Sequence, residues 1–273
     1  MKLEDGMAGQ PKLKLSAASA LLLVLTAWMV SSPPAVADEA QARTLLKAMT
    51  DYVGAQQSIA FDYDATLEVV TKDRQKLQLA SSGTVSLARP DKIRTTRSGG
   101  FVDMETVFDG KTLTLFGKNK NLYTQVEVPG SLDNLVNELQ KKFDRPLPAA
   151  DLFITHSYDE ITAAVTNVKD LGSGVVGGIE CDYFAFRAKD VDWQIWVTQG
   201  AKPRPCRYVI TSTGITGGPQ YTVQLRDWKT GSEVGTPDFT FKPPSGAKPI
   251  GVDELKKVKD MGELPSNFTI GGK

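Results

Sequence analysis

The chain has 273 residues, 41% of them apolar and 23% charged, with 32 basic and 32 acidic side chains and a formal net charge of zero. That is enough chain to bury a core without metals or many disulfides. Balanced charge argues against holding a nucleic-acid backbone, and a single histidine, His156, with two cysteines argues against a His-rich zinc or iron centre.

Lys12 and Lys14 precede a 16-residue apolar run, Leu15 to Val30, and then Ala35-Val36-Ala37. A charged start, an apolar stretch and an Ala-x-Ala site predict an export signal over residues 1–37, cleaved after Ala37. The run is shorter than the ~20 residues of a membrane span, so no permanent membrane anchor is expected. Without that segment 29 basic and 30 acidic residues remain, and the mature protein is expected in the periplasm.

Residues 38–56 read as a helix, with Leu45, Leu46, Met49, Tyr52 and Val53 on one stripe. In residues 61–70 Phe61, Tyr63, Ala65, Leu67 and Val69 alternate with polar residues, as in a half-exposed antiparallel strand. Strands over 76–88, 91–97, 101–108, 111–118 and 121–128 follow, with Asp109-Gly110 and Gly117-Lys118-Asn119 as hairpin turns. Consecutive short strands imply a meander. Pro90 within "LARPDKI" reads as a turn or kink between two strands.

A helical insertion spans roughly 131–165. Ser131 is expected to cap a helix carrying Leu132, Leu135, Val136, Leu139 and Phe143, and Ser157 with Glu160 reads as a capping box for another. Strands resume at 181–188, 191–199, 206–214 and 220–228, "DFTFKPPSGAKPI" ends the sheet, and "VDELKKV" is a last short helix. The fold class is mainly antiparallel β with a helical lid (α+β): one sheet of about ten strands with helices on one side. In residues 191–199 Trp193 shares a face with Val191, Ile195 and Val197, while Trp196 points the other way.

No catalytic constellation emerges. Gly172 to Gly177 match G-x-G-x-x-G, but strand residues follow where a dinucleotide site needs a helix, so the segment reads as a turn. Ser245-x-x-Lys248 and Lys229-Thr230-Gly231 stand in the wrong order for a penicillin-recognising enzyme. His156 has no G-x-S-x-G serine to serve, and no spacing singles out a carboxylate pair. No metal site and no cofactor are expected. Arg89, Lys92, Arg94 and Arg97 read as a solvated strand edge, with docking of an acidic partner or lipid headgroups as the alternative.

Export would bring Cys181 and Cys206 into an oxidising compartment, where a disulfide between them is expected. In a simple meander the two begin strands separated by a third. Two spacings of ~4.8 Å exceed the Cα separation of about 7 Å that a bridge tolerates, so bent strand ends or another strand order is required.

The helix, "SGTVSLARPDKIRT", "VFDGKTLTLFGKNKNLYTQVEVPG", a second helix and a late "FTFKPPSGAKPI" resemble the lipoprotein-carrier fold of LolA and LolB. More closely, "GGIECDYFAFRAKDVDWQIWV", "CRYVIT", "PQYTVQLRDW" and "FTFKPPSGA" are similar to a family of predicted bacterial periplasmic proteins, domain of unknown function 2092. The resemblance covers nearly the whole mature chain. It implies one domain over 38–273, a curved open half-barrel closed by helices acting as a lid, with a pocket between sheet and lid.

The expected function is a periplasmic binding or carrier protein whose partner is a hydrophobic small molecule, a lipid or a lipidated protein. Candidate lining residues are Phe101, Leu115 and Trp193 on the sheet and Leu139, Phe143 and Phe153 on the lid, though core packing explains each equally well. The alternative is an envelope sensor or accessory protein whose groove holds a peptide or protein partner. A carboxylate hydrolase is a weaker third.

Overall fold

The structure, a computed structural model, describes residues 39–100, 102–143 and 149–255, without the side chains of residues 140, 142, 143 and 255. The expected signal segment, Phe101 and the Phe143 side chain lie outside the described residues.

Helix α1 (Glu39–Ala55) leads into six strands: β1 (Ser58–Val70), β2 (Lys76–Ala88), β3 (Lys92–Gly99), β4 (Val102–Phe108), β5 (Thr112–Gly117) and β6 (Leu122–Glu127). Helix α2 (Leu132–Phe143), a 3-10 turn (Ala150–Leu152) and helix α3 (Ser157–Thr162) form the insertion. Five more strands follow: β7 (Asn167–Val176), β8 (Ile179–Arg187), β9 (Val191–Thr198), β10 (Pro205–Ser212) and β11 (Gln220–Thr230). The described chain closes with β12 (Lys248–Pro249) and α4 (Val252–Leu255).

All twelve strands belong to one sheet, in the order β12-β6-β5-β4-β3-β2-β1-β11-β10-β9-β8-β7. Two meanders, β1–β6 and β7–β11, are joined where β1 pairs with β11, and only β12 runs parallel to its neighbour. The outermost strands, β12 and β7, do not pair, so the sheet is curved and open rather than a closed barrel.

The alternation read in β1 holds in register. Ile59, Phe61, Tyr63, Ala65, Leu67 and Val69 oppose Leu87, Val85, Gly83, Ser81, Leu79 and Leu77 of β2. The turn at Arg89-Pro90-Asp91 joins β2 to β3, across a cis Arg89–Pro90 bond. Asp109 builds the β4–β5 hairpin by accepting from the N–H groups of Lys111 and Thr112 at 3.0 and 2.7 Å.

One buried cluster joins Leu46, Met49 and Val53 of α1 and Leu132, Leu135 and Leu139 of α2 to inner-face residues from both meanders. The insertion is anchored at its start. Ser131 caps α2 by accepting from Asn134 N–H at 3.2 Å, and Leu132 N–H donates to the Pro90 carbonyl at 2.9 Å.

Several expectations require correction. The Gly172–Gly177 segment is mostly the edge strand β7, with its turn at Gly177-Gly178. Its outer edge pairs with nothing described and its apolar residues are scattered, so no alternation announces it. Ser157 is not a cap. His156 occupies that position at φ 60°, and Ser157 becomes the first helical residue, its buried Oγ without a partner. "DFTFKPPSGAKPI" adds no strand before Lys248. It crosses the outer face instead, where Phe241 packs on Phe116 and Tyr123 and the Asp238 carbonyl accepts from Arg94. The basic cluster is not an edge, because β3 sits between β2 and β4.

The expected disulfide is not formed. Cys181 and Cys206 are free thiols, and the Cys181 Sγ donates to the Cys206 Sγ at 2.8 Å, beyond the length of about 2.05 Å of an S–S bond. A register shift between Pro205 and Arg207 makes Cys206 the extra residue of β10. Bulged out, it packs with Cys181, Val176 and Trp196 despite the intervening β9.

Candidate functional site

The inner face of the sheet divides into a sealed part and an open part. Under the insertion, Phe153 stacks on Phe61 at 5.2 Å between ring centroids, and Phe61 stacks on Trp228 at 5.4 Å. On the β8–β10 side Phe186 stacks on Trp193 at 3.8 Å, and Tyr208 meets the Trp193 edge at 5.8 Å. These rings fill space that a ligand would otherwise occupy.

The apolar face continues past that cluster. Leu67, Leu77, Leu79, Met104 and Leu122 lie on it by register, are half-buried, and belong to no core cluster. Tyr63, Leu115, Ile210 and Tyr221, also half-buried, lie between them and the core.

Tyr63 reaches across β2. Its hydroxyl donates to the Thr96 carbonyl of β3 at 3.0 Å, over Gly83. A Cβ at Gly83 would lie 1.9 Å from that carbonyl and 2.7 Å from the Tyr63 hydroxyl, so the glycine is what admits the ring. Arg97 also turns inward, donating from Nε to the Ser81 hydroxyl at 3.2 Å.

Burial raises Tyr63 to about 12 and raises Tyr221 as well, and the Arg97 charge works against both shifts. Arg97 is on β3 and Tyr221 on β11, three strand spacings apart, or about 14 Å on a flat sheet. The two long side chains are nonetheless close enough for the Arg97 charge to act on Tyr221.

The insertion contains a buried acid. Asp151 is half-buried as a residue, but its Oδ1 is sealed from solvent without a hydrogen-bond partner. Burial raises its carboxyl to about 6, with the Glu160 charge adding to the shift. Below the insertion Tyr208, itself raised by burial, also feels the Asp151 charge.

Of the six expected lining residues, Trp193 and Leu139 are core, at 4% and 7% exposure. Leu115 and Phe153 are half-buried: Leu115 borders the open part, and Phe153 closes the sealed one. Phe101 and the Phe143 side chain lie outside the described residues. Tyr63, Arg97, Met104 and Tyr221 were not anticipated as lining. One signal existed for Arg97. It stands three positions from Arg94, so the two must face opposite sides of a strand.

Among the described residues no group of three or more His, Cys, Asp and Glu is placed to hold a metal, and no helix is long and apolar enough to cross a membrane.

A family model described as "Predicted periplasmic protein (DUF2092)" matches residues 42–253. An uncharacterised protein of Methanocaldococcus jannaschii, MJ0687, is 26% identical over 176 residues, 61% of this chain, which spans only 44% of that relative's length. Among solved structures, the Mycobacterium tuberculosis lipoprotein LppX aligns at a TM-score of 0.43 and 12% identity, over 74% of this chain and all of that one. The LolA superfamily protein NE2245 of Nitrosomonas europaea aligns at 0.34 and 12%, over 73% and 97%. MucB, in the Pseudomonas aeruginosa MucA/MucB complex, aligns at 0.40 and 11%, over 85% and 64%.

Proposed function

The chain belongs to the DUF2092 family of predicted periplasmic proteins, and from that premise we propose that it binds or carries a lipid, an acyl chain or a lipidated ligand on the inner face of its sheet, beside the helical insertion. The observation that carries this reading is the apolar extension of that face. Leu67, Leu77, Leu79, Met104 and Leu122 stand half-buried beyond the packed core. Leaving such a strip wet is unfavourable, and an acyl chain laid along it gains about 0.8 kcal/mol per buried methylene.

Release requires that binding stay reversible. The insertion shares the buried core with the sheet through Leu132, Leu135, Leu139 and Leu152 besides the Phe153 stack, so on this reading the ligand comes and goes along the half-buried strip beside the insertion, with the core left in place.

Native mass spectrometry of gently purified protein, with extraction and identification of bound lipid, tests the reading. Co-purified lipid, or saturable binding of a fluorescent acyl probe, is the expected result. Protein that is empty and binds neither the charged nor the uncharged form of the probe overturns it.

A second reading, an envelope sensor or accessory protein that binds a peptide or protein, is favoured by one observation. Leu171, Val175 and Ile179 are 44%, 73% and 41% exposed around β7, the end strand of the sheet. Unpaired edges of this kind accept a partner's strand.

A further inference from the structure

We infer that the outer face of the sheet carries a separate binding site, in which the Arg207 guanidinium and the Gln224 amide hold a carboxylate beneath the β7–β8 turn. The site lies on the opposite face from the acyl-binding strip and does not depend on that reading.

Register places the residues in one row. Tyr183 of β8 opposes Trp196 of β9, Trp196 opposes Arg207 of β10, and Arg207 opposes Gln224 of β11. They alternate with the core residues Phe184, Ile195, Tyr208 and Val223, so they face outward. Tyr183 stacks on Trp196 at 4.1 Å between ring centroids, and the Arg207 guanidinium lies over the same indole, 5.5 Å from its centroid. The indole thereby orients the planar cation.

The end of the β7–β8 hairpin roofs this row. A Cβ on Gly174 would lie 3.0 Å from Trp196 Nε1, and one on Gly177 would lie 3.5 Å from Gln224 Nε2. Strand β8 stands three strand spacings from β11, about 14 Å on a flat sheet, so the turn meets Gln224 only by lying against the outer face. Val176, Cys181 and Cys206 pack beside Trp196 and give the niche an apolar wall.

Arg207 is incompletely satisfied there. Its Nε is sealed from solvent without a hydrogen-bond partner, and among the described residues its guanidinium forms no ion pair. The acid next in the row, Asp64 opposite Gln224, is already engaged: it accepts from Arg226 at 2.8 Å and from the Ser82 hydroxyl. The terminal nitrogens of Arg207 are not sealed, and they present a fork that matches the two oxygens of a carboxylate. Arg207 is half-buried, so an anion bound to it is screened less than on open surface.

The same geometry selects among oxyanions. One guanidinium balances one negative charge, and the Gln224 amide adds a neutral donor. A phosphate monoester brings a second negative charge to a row that already holds the exposed Asp64.

The test titrates sodium acetate, acetamide, sodium phosphate and sodium chloride into the full mature protein at constant ionic strength. NMR reads the Trp196 indole N–H and the Gly177 and Gly178 amides. Saturable shifts with acetate and none with acetamide are expected. Arg207→Gln should weaken acetate binding at least about tenfold. Shifts that never saturate, or that acetamide or chloride reproduces, overturn the inference. Phosphate binding as tightly as acetate overturns the carboxylate class, and acetate binding undiminished in Arg207→Gln overturns the site. The wild-type order of the four probes decides even if the variant fails to fold.

Discussion

A terminal nitrogen of Arg89, in the turn between β2 and β3, donates to the Phe153 carbonyl in the insertion at 2.6 Å, while its Nε donates to the Gln56 carbonyl behind α1 at 3.1 Å. One side chain thus ties a sheet turn, the end of the first helix and the lid together. Burial lowers its pKa, with Asp133 acting in the opposite direction, and two of its nitrogens donate to backbone carbonyls.

Arg89→Ala should therefore loosen the lid more than the sheet. Two carbonyls lose their donor, at a cost of about 2 kcal/mol. Hydrogen exchange should show faster amides over residues 150–162 and little change in β8 to β10. Uniform acceleration across both regions would mean that Arg89 supports the whole fold rather than the lid.

Gly83→Ala should be severely destabilising, because the new Cβ lies 1.9 Å from the Thr96 carbonyl and displaces the Tyr63 ring. A loss of several kcal/mol, read by urea unfolding, is expected. Gly54→Ala is the contrast. Nothing lies within 4 Å of the added atom, and helix α1 should gain about 0.5–1 kcal/mol. Equal effects at the two sites would refute this account of Gly83.

Asp151 sets a pH dependence with an unusual sign. Its folded pKa, about 6, lies above the ordinary carboxylate range, so the folded protein holds this proton more tightly than the unfolded chain. The stabilisation is fully present below about pH 4 and is lost as the pH rises through about 6. Asp64 beside Arg226 and Asp192 beside Arg187 run the other way: hydrogen bonds hold their pKa values low, and their contribution is lost in acid. Asp151→Asn should raise stability at pH 7.5 by about 1–3 kcal/mol and have little effect at pH 4. Parallel stability curves for variant and wild type across that range would refute the assignment.

The two cysteines should be inert in the folded protein. Burial raises both thiols above their ordinary value, Cys181 well above it, so neither forms a thiolate near neutral pH. A maleimide should label neither under native conditions and both after denaturation without reductant. Labelling of native protein would contradict their burial, and no labelling after denaturation would show the pair oxidised.

Much of this molecule could be read along the chain. The span of β2 was anticipated residue for residue, and the turn at Arg89-Pro90-Asp91 and the hairpin at Asp109-Gly110 fell where expected. Helix α1 and the Ser131 cap did too. These features depend on alternation, helical spacing and turn chemistry within a few residues. The strand β7 carried none of those signals, and His156 took the cap from Ser157 by adopting φ 60°, which residue type alone does not announce.

The candidate site was far less legible, because every part of it depends on contacts between distant segments. By itself the sequence determined export-type patterning, a meandering antiparallel sheet, a helical insertion and the faces of β1. Only the tertiary structure decided that β1 pairs with β11, that Arg97 faces Tyr63 across a glycine, that Cys206 bulges toward Cys181, and that Asp151 Oδ1 is sealed in the insertion. The physical reason is range. Strand and turn preferences arise within a few bonds, whereas burial, curvature and electrostatic contact arise from packing that brings remote residues within a few ångströms of each other.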